Sequence, residues 1–488
     1  MKQFKALILI AFVSFLAVGC FKDNDDSLIE INSLNDFVWQ GMNSWYYWQP
    51  NVPELDDSKD DDPNQYRAFL DQFSDPNSLF ESLLYQYGTL DRFSWFVENY
   101  VEQEQSFQGI SESFGIRYQA VQINNNGDVI LYLNYVTPDS PAGDAGFLRG
   151  DIINAIDGTV LTTNNFINTI NNLNNSTVTF SFVTASDGQL SAAGDKTITK
   201  RLIFDNPIYL AKVFDNIEGK KVGYLVYNGF RTAYNDELNA AFATFKNAGI
   251  DELILDLRLN GGGSVETSAY LASMVNASAG EGVFAALKFN TKHTNEDGAY
   301  YLSNTLNVYD SNFNKTGTET INRLTTLNQL YILTSGGTAS ASEMVINGLK
   351  AYMPVKLIGT TTFGKNVGSI TLYDSPGSDY LDRNTANSSH LNAMQPIVFT
   401  IFNKNGQSDY TMGFNPDIEI KEFQYWDTIL PFGDINEIVL KTALDDIRGY
   451  VTKGAPSKLG TEAESMEVVP DKFQNEMYIS PEFLKQYQ

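Results

Sequence analysis

Apolar positions change their spacing three times along the chain. Between residues 28 and 105, Leu34, Phe37, Val38, Met42 and Trp45 recur at roughly 3.6-residue intervals behind Ser33, a candidate N-cap, and predict a helix. Residues 66–73 and 79–86 predict two further short helices. The acidic run from Asp56 to Pro63, after the first helix and ahead of both short ones, lacks the glycine and terminal glutamate of a calcium loop, and reads as a solvated linker. Residues 106–202 turn strand-like: 128–133 is a continuous apolar run suited to burial on both faces, and 177–182 alternates with period two. From 205 to 450, apolar strand runs (222–226, 252–257, 330–334, 355–358) alternate with helical stretches (240–246, 267–275, 342–352), the pattern of a mostly parallel sheet covered by helices. Residues 451–488 carry few periodic apolar positions and are expected to wrap the surface.

The first twenty residues stand apart. Lys2 and Lys5 precede an apolar run from Ala6 to Val18 and a small-residue stretch ending at Cys20, too short for a comfortable span and suited to a signal peptide over residues 1–19. Leu16-Ala17-Val18-Gly19-Cys20 resembles the lipobox of bacterial lipoproteins, which implies lipidation of Cys20, an acidic tether over 20–27, and anchoring in a bacterial cell envelope, on the outer membrane with a periplasmic or surface-facing domain. Cys20 is the sole cysteine, so no internal disulfide or Cys-rich metal site can form, and two histidines are too few for most His-based centres. A formal charge of −26 over 488 residues disfavours nucleic acid as a partner. No metal or organic cofactor is implied. The chemistry falls to Ser, Lys, Asp, Glu and backbone groups.

Three segments of the last block can carry it. Leu253–Gly263 runs a strand into Gly261-Gly262-Gly263, where consecutive N–H groups suit an oxyanion hole or simply a tight turn. Thr334–Met344 ends a strand and starts a helix; Ser340 and Ser342 stand there as N-caps or, at the positive helix end, as nucleophiles. Gly359–Asn366 nearly matches a phosphate-binding loop, but Asn366 replaces the metal-binding hydroxyl and a strand-like run follows where a helix is needed. A nucleotide hydrolase is therefore a remote reading.

Together these segments resemble the carboxyl-terminal processing (tail-specific) protease family, whose core carries "DLR.N.GG", "(S/T)ASASE" and "TFGK". Here they are Asp256–Gly263, Thr338–Glu343 and Thr362–Lys365. The stretch Ser140-Pro141-Ala142 to Ile156-Asp157-Gly158 likewise resembles a PDZ signature, with Phe114-Gly115-Ile116 as the candidate carboxylate-gripping loop. The resemblance implies a multidomain α/β fold: a ClpP/crotonase-like peptidase core over 205–450, an inserted PDZ-like β domain over 106–202, an N-terminal helical region over 28–105 and a C-terminal extension over 451–488. It implies a serine endopeptidase acting on polypeptide tails, with Ser340 as nucleophile, Lys365 as general base 25 residues on, and Ala341 with Gly261 or Gly262 as oxyanion donors. Physically, a lysine is the natural base where no histidine lies near a nucleophile motif, provided it is desolvated; Phe363 and Val367 flank this one. The chain departs from the family pattern at Ser369, where some members have a lysine-orienting Gln, and at Ala351, where others have an Asp; Ser369, Asn366 or another group is then left to hold Lys365. The alternative is a lipoprotein that binds peptides on the same scaffold without cutting them.

Overall fold

The computed structural model describes residues 33–186, 189–276, 282–310, 314–450, 463–466, 473 and 475–480. The leader and Cys20 lie outside these residues. Three helices open the described chain: α1 (Ser33–Trp45), α2 (Pro63–Leu70) and α3 (Pro76–Ser82). The latter two start a few residues before the apolar periodicity, because Asp62 and Asp75 cap them and a proline occupies their first position. The acidic linker holds one 3₁₀ turn, Asp57–Asp60, following another at Pro53–Leu55, with Asp56 accepting from Ser58 N–H. No group of three acidic, Cys or His residues suited to a metal ion occurs among the described residues.

A small β domain follows, built on β1 (Ile116–Gln122), β2 (Val129–Val136), β3 (Ile152–Ile156), β4 (Thr177–Ser186) and β5 (Gln189–Thr199), antiparallel neighbours in that order. The continuous apolar run of β2 is buried on both faces: Val129, Leu131 and Leu133 join one cluster, Ile130 and Tyr132 another.

The remainder is built mainly on two six-stranded sheets, with one three-stranded and two two-stranded sheets beside them among the described residues. The first comprises β6 (Ile208–Ile217), β7 (Lys220–Tyr227), β8 (Glu252–Asp256), β12 (Leu330–Thr334), β13 (Val355–Gly359) and β16 (Ile418–Glu419), all parallel except the β6 edge. Helices α4 (Asn235–Ala248), α5 (Val265–Val275) and α6 (Ala341–Lys350) pack on one face and α7 (Ile438–Ile447) on the other. Period two along β7 feeds both layers: Leu225 and Tyr227 meet the first helices, Val222, Tyr224 and Val226 meet α7. The second sheet runs β9 (Gly263–Ser264), β18 (Met477–Tyr478), β14 (Val367–Ser369), β15 (Ile397–Phe402), β10 (Val283–Phe289) and β11 (Gly298–Tyr301).

The C-terminal region departs from expectation. Rather than wrapping the surface, β18 is wedged between β9 and β14, with Glu476, Met477, Tyr478 and Ile479 all buried. A second piece, β17 (Glu464–Ser465), adds an outer strand to β1 of the small domain. A strand this short has no periodicity to read; its location comes from pairing with segments distant in sequence.

Candidate active site

Ser340 sits where the chain leaves β12 and enters α6. Its backbone is held at φ 63°, ψ −116°, a left-handed conformation that a residue with a Cβ adopts only when its surroundings impose it. The residues have the arrangement of a capping box, but only one side closes as a hydrogen bond: the Glu343 carboxylate accepts the Ser340 N–H (2.9 Å), whereas Ser340 Oγ, fully buried on the side of the Glu343 N–H, makes no hydrogen bond. A capping serine would have spent its oxygen on the helix; this hydroxyl is left for something else. Ser342 is no cap either, since its Oγ donates to the Asn260 carbonyl (2.9 Å) and ties α6 to the glycine loop.

The same Glu343 organises the third motif. One of its oxygens accepts both Ser340 N–H and Lys365 N–H (2.8 Å); the other accepts Gly364 N–H (2.7 Å) and Thr362 Oγ1–H (2.5 Å). The main chains of Ser340 and Lys365 therefore lie side by side on one carboxylate. Burial raises the Glu343 carboxyl above its ordinary range, and these four donors pull it back toward the charged form. Asp256–Gly263 closes the pocket. Asn260 accepts Gly262 N–H (2.9 Å) and Ala339 N–H (3.1 Å) and donates to the Tyr227 carbonyl (2.9 Å). Gly262, at φ +118°, passes so close to Ser340 that a Cβ there would lie 2.8 Å from Ser340 Cβ and 3.0 Å from Ala341 N. Only glycine fits.

Lys365 is fully buried, its ammonium end 5.0 Å from the centre of the Phe93 ring. Its partners are unexpected. Nζ donates to the Asn475 carbonyl (2.9 Å) and to Glu476 Oε1 (3.3 Å), both from the C-terminal segment. Neither residue proposed to hold it does so. Asn366 turns away to Ser408, and Ser369 Oγ contacts the Glu476 carboxylate (3.3 Å) and accepts from Gln395 (2.9 Å), one group removed from the lysine. Glu476 is pushed up to about 7 by burial, against the pull of Lys365 and Ser369.

Of the expected oxyanion donors, Ala341 N–H is at the first helical position, where no intrahelical acceptor exists, and its nitrogen lies beside Gly262. The Gly262 N–H is spent on Asn260; the adjacent Gly263 N–H donates to the Glu476 carbonyl instead (2.5 Å). Gly261 packs against Asn475, whose backbone N would lie 2.8 Å from a Cβ at that position. In the small domain, Phe114 is buried edge-on to Phe180 and Gly115, at φ +80°, precedes Ile116 and β1, but the Gly115 N–H is taken by Ser113 Oγ (2.8 Å). The histidines lie elsewhere: His293 stacks on Trp45 and His390 pairs with Asp374.

Sequence reasoning missed Phe93, Gln395, Asn475 and Glu476, and gave Glu343 only a place in the first helical turn. A buried acid beside Met477-Tyr478-Ile479 was the one available signal for the tail.

A family model for peptidase family S41 matches residues 221–420, and one for the peptidase S41 N-terminal domain matches residues 33–95. A carboxyl-terminal-processing protease of Picosynechococcus sp. is 27% identical over 274 residues, 54% of this chain and 58% of the relative. Its counterpart from Synechocystis sp. is 28% identical over 252 residues, 51% of this chain and 52% of the relative. The chain thus spans little more than half the length of these two relatives. The crystal structure of an S41-protease candidate from Bacteroides fragilis superposes with a TM-score of 0.65 at 26% identity, covering 85% of this chain and 97% of that one.

Proposed function

Because the chain belongs to peptidase family S41, we propose that it is a serine endopeptidase in which Ser340 is the nucleophile and Lys365 the general base. One observation carries the reading: a buried, strained serine with an unpartnered hydroxyl shares a single carboxylate oxygen, through its backbone, with a buried lysine. In this mechanism an unprotonated Lys365 takes the Ser340 proton as Oγ attacks a peptide carbonyl. The tetrahedral oxyanion meets Ala341 N–H and an N–H of the glycine loop, for which Gly261 is the candidate, since the Gly262 N–H is spent on Asn260 and the Gly263 N–H on the Glu476 carbonyl. Collapse expels the amine of the C-terminal fragment, which takes the proton from Lys365; water then hydrolyses the acyl ester by the reverse proton path.

The peptidase core corresponds to the ClpP/crotonase-like type and the small β domain to a PDZ-like module that recruits polypeptide tails along β1. Cys20 serves as the lipid anchor to a bacterial envelope membrane. The geometry at Ser340 favours catalysis over a binding-only scaffold, since a peptide binder has no use for a strained, unpartnered hydroxyl. Cleavage of an unfolded test protein by wild type, Ser340→Ala and Lys365→Ala tests the assignment. Loss of cutting in both variants, each folded, is expected; activity surviving Ser340→Ala refutes the nucleophile. A wild type that cuts no tail but binds them would support the peptide-binding alternative.

A further inference from the structure

Both places a polypeptide substrate would need are filled by the chain's own C-terminal segment. On the small domain, β17 lies antiparallel to β1, with Glu464 opposite Gln122 and Ser465 opposite Val121, and Met466 N–H donates to the Ala120 carbonyl (3.0 Å). Gln119 adds a bond to Ser465 Oγ (3.1 Å). Ala463 packs with Val121, Ile130 and Tyr132, while Met466 packs against the cluster on the opposite face. This is strand addition to an open sheet edge, and it runs toward the Gly115 turn.

At the catalytic centre, residues 475–479 form a second added strand. It is parallel to β9 on one side and β14 on the other, with Gly263 N–H on the Glu476 carbonyl and Ile479 N–H on the Ser369 carbonyl (3.4 Å). Side chains alternate across it: Met477 and Ile479 enter the main core, Glu476 turns to Lys365 and Ser369, and Tyr478 stacks on Phe107 at 4.2 Å. Just upstream, Phe473 meets Trp95 edge-on at 5.7 Å. With this strand seated, Ser340 and Lys365 have no solvent exposure, the lysine amine is spent on the tail, and Ser340 Oγ is without its base.

We infer that the C-terminal segment is an intramolecular inhibitor that occupies the peptide-receiving edge and the catalytic groove together. This rests on the peptidase reading. It also names the class of ligand the groove accepts: an extended peptide with apolar side chains at alternate positions and a hydrogen-bonding side chain facing Lys365.

The test uses the full chain, an unfolded protein substrate and a fluorophosphonate that labels reactive serines. Met477→Asp/Ile479→Asp loosens the groove strand. Met466→Pro removes the edge N–H and the Met466 packing on the small domain but leaves the main core intact, and so keeps the test meaningful if the double variant fails to fold. Either folded variant is expected to label and cleave on the order of tenfold faster than wild type. A synthetic peptide of residues 463–480 added to it is expected to restore inhibition, and Ser340→Ala in the same background to silence it. Folded variants no faster than an active wild type would overturn the inhibitor while leaving the peptidase standing. No labelling or cleavage in any variant would overturn both.

Discussion

Two buried polar clusters meet at the Asp256–Gly263 motif and differ in how completely they are satisfied. Around Arg258, every charge has a partner. The guanidinium donates to Asp256 (2.7 and 3.0 Å), Glu422 (2.7 Å) and Glu437 (3.0 and 3.2 Å); Tyr224 caps Asp256 (2.7 Å), and Glu437 also accepts Leu440 N–H at the start of α7 (2.9 Å). Arg149 of the small domain reaches in to Glu422 and to the Leu430 carbonyl (3.0 Å). Burial pushes Glu422 up, but Arg149 and Arg258 bring it below its ordinary range. Around Ser340, by contrast, a hydroxyl is left alone and the backbone is strained. The motif Asp256–Gly263 straddles the two: its charged half is scaffold and its Asn-Gly half belongs to the site. A closed network holds shape, and an open one keeps a reactive atom available.

The largest effect comes from breaking the open cluster at its centre. Ser340→Ala should lower cleavage by at least ~10⁴-fold, yet stabilise the fold by about 1 kcal/mol, since a buried hydroxyl without a partner disappears. Paired rate and denaturation measurements check this; a destabilised Ser340→Ala would mean the hydroxyl is a structural cap after all. The closed cluster should respond oppositely. Arg258→Met strands Asp256, Glu437 and Glu422 without their shared cation and should cost about 3–5 kcal/mol, read as a lower urea midpoint.

Between these extremes stands Glu476. Its folded value of about 7 exceeds the ordinary 4.5, so the docked tail favours the protonated acid. Its stabilising contribution is full below about pH 4.5 and is lost as pH rises through about 7. The groups facing it are Lys365 and Ser369 from around β14, and Tyr478 on its own strand. Wild type should therefore lose up to about 3 kcal/mol relative to Glu476→Gln between pH 4.5 and 8. Unfolding both proteins at several pH values tests it; parallel curves would show that the acid does not titrate in the docked state. The smallest effect belongs to Ser369→Ala, about 1 kcal/mol through the lost Gln395 and Glu476 bonds, with Lys365 still held by Asn475.

The parallel sheet was legible in the chain because β7, β8, β12 and β13 are apolar runs whose burial follows from their own residues. Ser340 and Lys365 were legible because three motifs kept their order and spacing. What holds Lys365 was not. Asn366 and Ser369 are neighbours in sequence, but in the strand start one points to Ser408 and the other stops at Glu476, so proximity along the chain misled. The role of Glu343 was hidden for a related reason. A glutamate in a first helical turn reads as a dipole partner, and only the folded loop shows it accepting from Thr362, Gly364 and Lys365.

That carboxylate has a consequence for biosynthesis. The left-handed turn at Ser340 is held by an acceptor that is itself buried and needs donors from Thr362–Lys365, a segment synthesised after it. Until that loop docks, a desolvated Glu343 would lack most of its donors and the turn would lack its clamp. On the proposed assignment, Ser340 and Lys365 are brought onto one carboxylate only once that loop has docked.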